Sequence, residues 1–91
     1  MFKVAVGHSI DPDSLAAVKE AVSQCREQLQ IAVHSAGILL CAIDFEHQVI
    51  LDFISETFPG IALIGGTTVG EMSSRLGFHE DSLMLMLFSS D

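Results

Sequence analysis

Hydrophobic positions recur along this chain in two periods. Near the amino terminus the period is two: Phe2, Val4 and Val6 share one face of an expected first strand over residues 2–7. The segment Asp11-Pro12-Asp13-Ser14 then announces a helix. Asp11 can cap it, Pro12 suits its first position, and Asp13 complements the positive end of its dipole. Leu15, Val18, Val22, Cys25 and Leu29 follow at spacings of three and four, which predicts a helix over 12–29 with that face buried. Lys19, Glu20, Ser23, Arg26 and Glu27 fall largely outside the stripe.

Residues 30–35 are compatible with extending that helix or with leading into the next strand. Residues 37–43 are apolar at both alternating sets of positions, as in a central strand covered on both sides. Asp44 can cap a second helix, whose buried face is Val49, Ile50, Phe53, Ile54 and Thr57 or Phe58. Pro59-Gly60 ends it. Ile61-Ala62-Leu63-Ile64 reads as a buried strand over 61–66. Residues 73–77 read as a turn, and 83–88 as a last strand with leucines on one face and Met84, Met86 and Phe88 on the other. A short polar link implies that this strand returns antiparallel. The expected class is α/β in the order β-α-β-α-β-β, a mainly parallel sheet with an antiparallel last strand, incomplete on its own. Residues 1–91 form a single α/β unit, with neither repeat nor linker.

Composition sharpens this picture. The chain has 91 residues, 49% of them hydrophobic and 18% charged. A domain of this size buries only about 60–65% of its unfolded surface. It therefore carries more apolar surface than a small sheet and two helices hide. Either copies associate, with strand 83–88 or the sheet face it joins the expected contact, or the remainder of a longer protein covers it.

Four basic residues against twelve acidic ones give a net charge of −8. Lys3, Lys19, Arg26 and Arg75 are scattered, so neither nucleic-acid phosphates nor an anionic membrane surface is an expected partner. The longest apolar run, 36–43, has eight residues and cannot span a bilayer. No signal peptide is visible. Cys25 and Cys41 form no C-x-x-C pair and read as small core residues, which suits a cytoplasmic protein.

Chemistry concentrates in Gly65-Gly66-Thr67-Thr68-Val69-Gly70-Glu71-Met72. Gly65 and Gly70 have the spacing of a phosphate-binding loop, but Glu71 and Met72 stand where that loop needs lysine and a hydroxyl residue. The nucleotide reading fails. The plain alternative is a bulged strand or turn with threonines as ordinary strand residues. His8, His34, His47 and His79 have no zinc spacing, and the default for each is a surface or loop histidine. His8 follows a strand and would stand near a carboxyl-end cleft. Ser9 beside His8 invites a nucleophile reading, but adjacent residues rarely share the geometry of a catalytic pair. There is no G-x-S-x-G elbow, and no enzyme is expected.

The stretch 65–72, with Gly77-Phe78 and the apolar strand after it, resembles the N-terminal module of the FIST sensory domain family. That family carries a similar G-C-[ST]-T-A-G-E-I segment after its third strand. Gly65, Thr67, Thr68, Gly70 and Glu71 match; Gly66 departs where cysteine is frequent, and Val69 and Met72 are conservative replacements. The resemblance spans nearly the whole chain and implies the first part of such a module.

It further implies an intracellular small-molecule sensor attached to a signalling output domain, with an amino acid as the suggested ligand. Some members resemble haem-based sensors, which makes haem a candidate cofactor with His34 and His79 equally admissible as ligands. On this reading the ligand-binding residues are Gly65, Gly66, Thr67, Thr68, Gly70 and Glu71. The glycines let backbone approach, the threonines donate to a carboxylate, and Glu71 pairs with an ammonium group. The rival role for Glu71 is to anchor the turn at Gly77. A structural or oligomerisation piece without its own ligand is the alternative function.

Overall fold

The computed structural model describes residues 3–29 and 36–89. The expectations for Phe2, for 30–35 and for His34 lie outside these residues, as does the side chain of Leu29. The elements run β1 (Lys3–Ser9), α1 (Ser14–Leu29), β2 (Ala36–Cys41), α2 (His47–Thr57), β3 (Ala62–Thr67), β4 (Gly70–Ser73), β5 (Gly77–Glu80) and β6 (Leu83–Ser89). The protein is mixed α/β, as expected. A four-stranded sheet has the order β1-β6-β2-β3, and β4 with β5 makes a separate antiparallel pair.

β6 is the organising strand. It pairs antiparallel with β1 on one side and with β2 on the other, while β2 and β3 pair in parallel. Three strands thus point one way and the last opposes them. The antiparallel return does not lie beside β3; it fills the gap between β1 and β2. β6 and β2 both lack a polar face, and they take the two inner positions, where a strand loses most apolar surface to its neighbours. Leu83, Leu85 and Leu87 are fully buried on the helix side, and Met84, Met86 and Phe88 are half-buried on the other.

Both helices lie on one face. α1 packs on β1 and β6, and α2 packs on α1. The buried stripe of α1 is Ala17, Val18, Ala21, Val22 and Cys25, whereas Leu15 is exposed. The correction has a packing reason: a Cβ on Gly7 would collide with the backbone of Ala21, so helix and strand touch through small residues. The cap also shifts. Asp13, not Asp11, accepts the Ala16 amide at 2.8 Å, and Asp11 instead holds the Asp13 amide at 2.9 Å. In α2 the N-cap is Glu46 rather than Asp44, and its amide is held by the Ser14 hydroxyl at 2.8 Å. Ile50, Ile54 and Phe58 are buried as expected, but Val49 is exposed.

Two further expectations are revised. β3 is an edge strand with its residues mostly exposed, because an apolar run alone does not distinguish centre from edge. The expected turn does occur, at 74–76, but it joins two short strands, and Gly77 takes φ 79° as the hairpin closes. The outer edge of β1 is closed by α1. Gln28 accepts from the Val6 amide at 3.0 Å and donates to its carbonyl at 2.5 Å, and Gln24 accepts from the His8 amide at 2.7 Å.

Candidate functional site

The structure divides the glycine-rich stretch between two places. Gly65, Gly66 and Thr67 stay in β3 and border an open cleft; Thr68, Gly70 and Glu71 turn away into the hairpin. The division follows from the chain path. Thr68 donates its amide to the Cys41 carbonyl at 3.0 Å, the last rung between this segment and β2. Beyond it the chain turns and β4 begins.

The cleft has a volume of about 330 Å³ and lies between α2 and the helix-facing side of β2 and β3. α2 leans on α1, so the sheet beneath β3 stays uncovered. Leu39 and Cys41 of β2 contribute one wall; Leu63, Ile64, Gly65, Gly66 and Thr67 contribute another. His47 and Leu51 project from α2. Register places Leu39 beside Gly65 and Cys41 beside Thr67. Gly65 is obligatory here, because a Cβ would be driven into the Leu39 carbonyl oxygen. A Cβ on Gly66 would meet nothing within 4 Å. A second hollow of about 210 Å³ is lined by Pro12, Ala42, Asp44, Phe45 and Asp81, and no residue of the glycine stretch borders it.

Glu71 occupies a different environment. It is 2% exposed, and its carboxylate is fully engaged. One oxygen accepts the Ser82 amide at 3.0 Å and the Ser82 hydroxyl at 2.6 Å; the other accepts the Thr68 hydroxyl. Ser82 has one hydroxyl hydrogen, and the carboxylate is the strongest acceptor near it. His8 therefore donates through Nε2 to the Ser82 oxygen at 2.8 Å. Its Nδ1 accepts the hydroxyl hydrogen of Ser73 at 2.6 Å, and Ser73 in turn accepts the Leu76 amide at 3.1 Å. His79 stacks edge-on against the His8 ring, with centroids 5.9 Å apart.

This network places the neutral imidazole at a fully buried position. Burial lowers the pKa of His8 below its ordinary 6.5, and the nearby His79 lowers it further, against an opposing pull from Glu71. The expectation of a surface histidine is corrected for His8. Phe78 lays its exposed ring over Gly70, where a Cβ would push the ring aside.

The remaining candidates are accounted for by their contacts. Ser9 gives its hydroxyl to Glu20 and accepts the Asp11 amide at 3.2 Å, so it makes no pair with His8. The Cys41 thiol is pushed up by burial and by the charge of Glu71. Burial raises Cys25 to about 12, against a weaker pull from Arg75. Neither is a ready nucleophile. Among the described residues no three His, Cys, Asp or Glu side chains assemble as metal ligands. A haem fits poorly among the described residues. Both ring nitrogens of His8 are engaged, and His79 Nε2 lies 3.1 Å from the Leu76 carbonyl. His47 borders the cleft, but no Lys or Arg lines it to meet haem propionates.

Comparison with known families decides the kinship. The FIST N domain matches residues 35–91, which takes in β2 through β6 and the whole glycine stretch. The chain belongs to the FIST N-domain family. No curated protein matches it. Membership brings the family's coarse role, that of a sensory module in signalling proteins. Sequence reasoning missed Ser73 and Ser82 in this FIST chain. The one available signal was three polar residues, Glu80, Asp81 and Ser82, set directly before the most apolar strand. No helix among the described residues is long and apolar enough to cross a membrane.

Proposed function

We propose that this FIST chain is the ligand-binding part of a sensory module, and that a small molecule enters the cleft between α2 and β3. The observation that carries the reading is the cleft of about 330 Å³ bordered by Gly65, Gly66 and Thr67. Ligand sites span roughly 300–1,000 Å³ and are mainly apolar with a few polar groups, and this one lies at the small end of that range. Glycines at 65 and 66 keep the backbone bare on the strand that edges it. Thr68, Gly70 and Glu71 then act indirectly, by fixing the hairpin that follows β3.

On this reading the chain is the first part of a FIST N-terminal module. It acts in the cytoplasm, passes its state to an output domain and catalyses no reaction. Two unpaired, buried thiols suit a reducing compartment. Ser73 is hydrogen-bonded to His8 in a manner an enzyme could use, but it borders neither of the two clefts described above.

The reading is tested with ¹⁵N-labelled protein and a set of small ring-bearing alcohols, acids, amines and amino acids. Binders are expected to shift the amides of Gly65, Gly66 and Thr67. Leu51→Trp, which fills the cleft from α2, should abolish those shifts while the circular dichroism is retained. Shifts confined to other regions, or unaffected by the tryptophan, would overturn the reading.

A further inference from the structure

We infer that the cleft takes an uncharged molecule with an apolar body and a hydrogen-bonding group at one end, rather than an amino acid. This rests on the reading of the cleft as the ligand site. Among the described residues its lining contains no Asp, Glu, Lys or Arg. An ammonium group held there would lose water and meet no carboxylate, and a carboxylate would meet only the His47 imidazole, so either charge is costly to hold in this site.

The acidic residue that sequence reasoning assigned to an ammonium group cannot fill this gap. Glu71 is buried, does not line the cleft, and spends both carboxylate oxygens on Thr68 and Ser82. Among the described residues no lysine or arginine lines the cleft to meet a carboxylate. Arg26 instead lies over the Phe58 ring at 5.7 Å, and a chain of net charge −8 does not favour the approach of anions.

The polar lining groups are gathered at one end. Thr67 and Cys41 are register partners at the carboxyl ends of β3 and β2. His47, the first residue of α2, is there too, its Nε2 3.4 Å from the Ala42 carbonyl. Leu39, Leu63 and Leu51 supply the apolar remainder. The Thr67 hydroxyl has no protein partner among the described residues and is free to meet a ligand. The arrangement suits one ring or short alkyl body with a hydroxyl, amide or ester head directed at Thr67.

The test keeps the ligand skeleton fixed and varies its charge. 3-Phenylpropanol, 3-phenylpropanoate, 3-phenylpropylamine and phenylalanine are titrated into the labelled protein, reading the amides of Gly65, Gly66 and Thr67. The alcohol is expected to bind at least about tenfold more tightly than each charged relative. Thr67→Val, which preserves strand shape, should weaken the alcohol several-fold and leave propylbenzene unchanged. Equal or tighter binding of any charged probe at those amides would overturn the inference while leaving the site intact. If no probe moves them, the cleft is not the ligand site and both readings fall.

Discussion

Glu71 and Ser82 are joined twice: one carboxylate oxygen accepts both the amide and the hydroxyl of Ser82, at 3.0 and 2.6 Å. Ser82 directly precedes β6, the central strand, so this pair fastens the β4–β5 hairpin to the middle of the sheet. Removing the carboxylate strands a buried amide and leaves two hydroxyls to find other partners. Each unsatisfied buried group costs about 1–3 kcal/mol. Glu71→Ala is therefore expected to lower stability by roughly 2–4 kcal/mol, a large part of the 5–15 kcal/mol of a small domain. Glu71→Gln, which retains one acceptor, should lose less and leave binding of an uncharged ligand unchanged. Urea unfolding of the three proteins checks the order; an alanine variant as stable as the parent would remove Glu71 from this role.

The same network makes stability depend on pH through His8. Its folded pKa lies below the unfolded value of 6.5, so the folded state resists the proton that the unfolded state accepts. Stability from this group is present above the unfolded pKa and is lost as pH falls towards the folded one; below that both states are protonated and the loss stops. The slope from one such group is at most about 1.4 kcal/mol per pH unit. Unfolding free energies measured between pH 7.5 and 5 should fall more steeply for the parent than for His8→Gln. Parallel curves would mean that His8 contributes nothing to the pH dependence.

Much of the fold was legible because its periods are long. The first helix showed its register at Val18, Val22 and Cys25, and the last strand showed two apolar faces. What escaped has physical causes. The contact face of α1 is Ala17 and Ala21, which pattern reading weights weakly beside Leu15 and which matter because Gly7 admits the helix backbone. β4 and β5 have four residues each, too short to show alternation. For the site, the stretch 65–71 was visible as chemistry, but its division at Thr68 was not. That division depends on Ser82 and on His8, residues 11 and 74 positions from their partners in the chain.

The glycines of β3 make contrasting predictions. Gly65 lies against the Leu39 carbonyl, with no room for a Cβ, whereas a Cβ on Gly66 faces open space. Gly65→Ala is expected to cost at least the ~1–3 kcal/mol typical of overpacking, because backbone rather than a flexible side chain must move. Gly66→Ala should be neutral or stabilising by up to about 1 kcal/mol, through the entropy of the unfolded chain. Thermal melts of the two variants decide it, and similar midpoints would contradict the packing argument.

The last prediction concerns the face of the sheet without helices. Val4, Ile64 and half-buried Met84, Met86 and Phe88 lie there, and the hairpin covers only the end near His8. Ile64 is 71% exposed on β3, an edge strand that carries neither charge nor proline. Edges of that kind invite pairing with another strand, whereas the opposite edge is occupied by Gln24 and Gln28. This chain is therefore expected to self-associate at micromolar concentration, with a mass by light scattering that rises with concentration. Ile64→Lys places a charge on both the face and the edge, and should return the protein towards monomer without loss of helix signal. A parent that stays monomeric across that range, or a lysine variant that associates equally well, would show that this surface does not bring copies together.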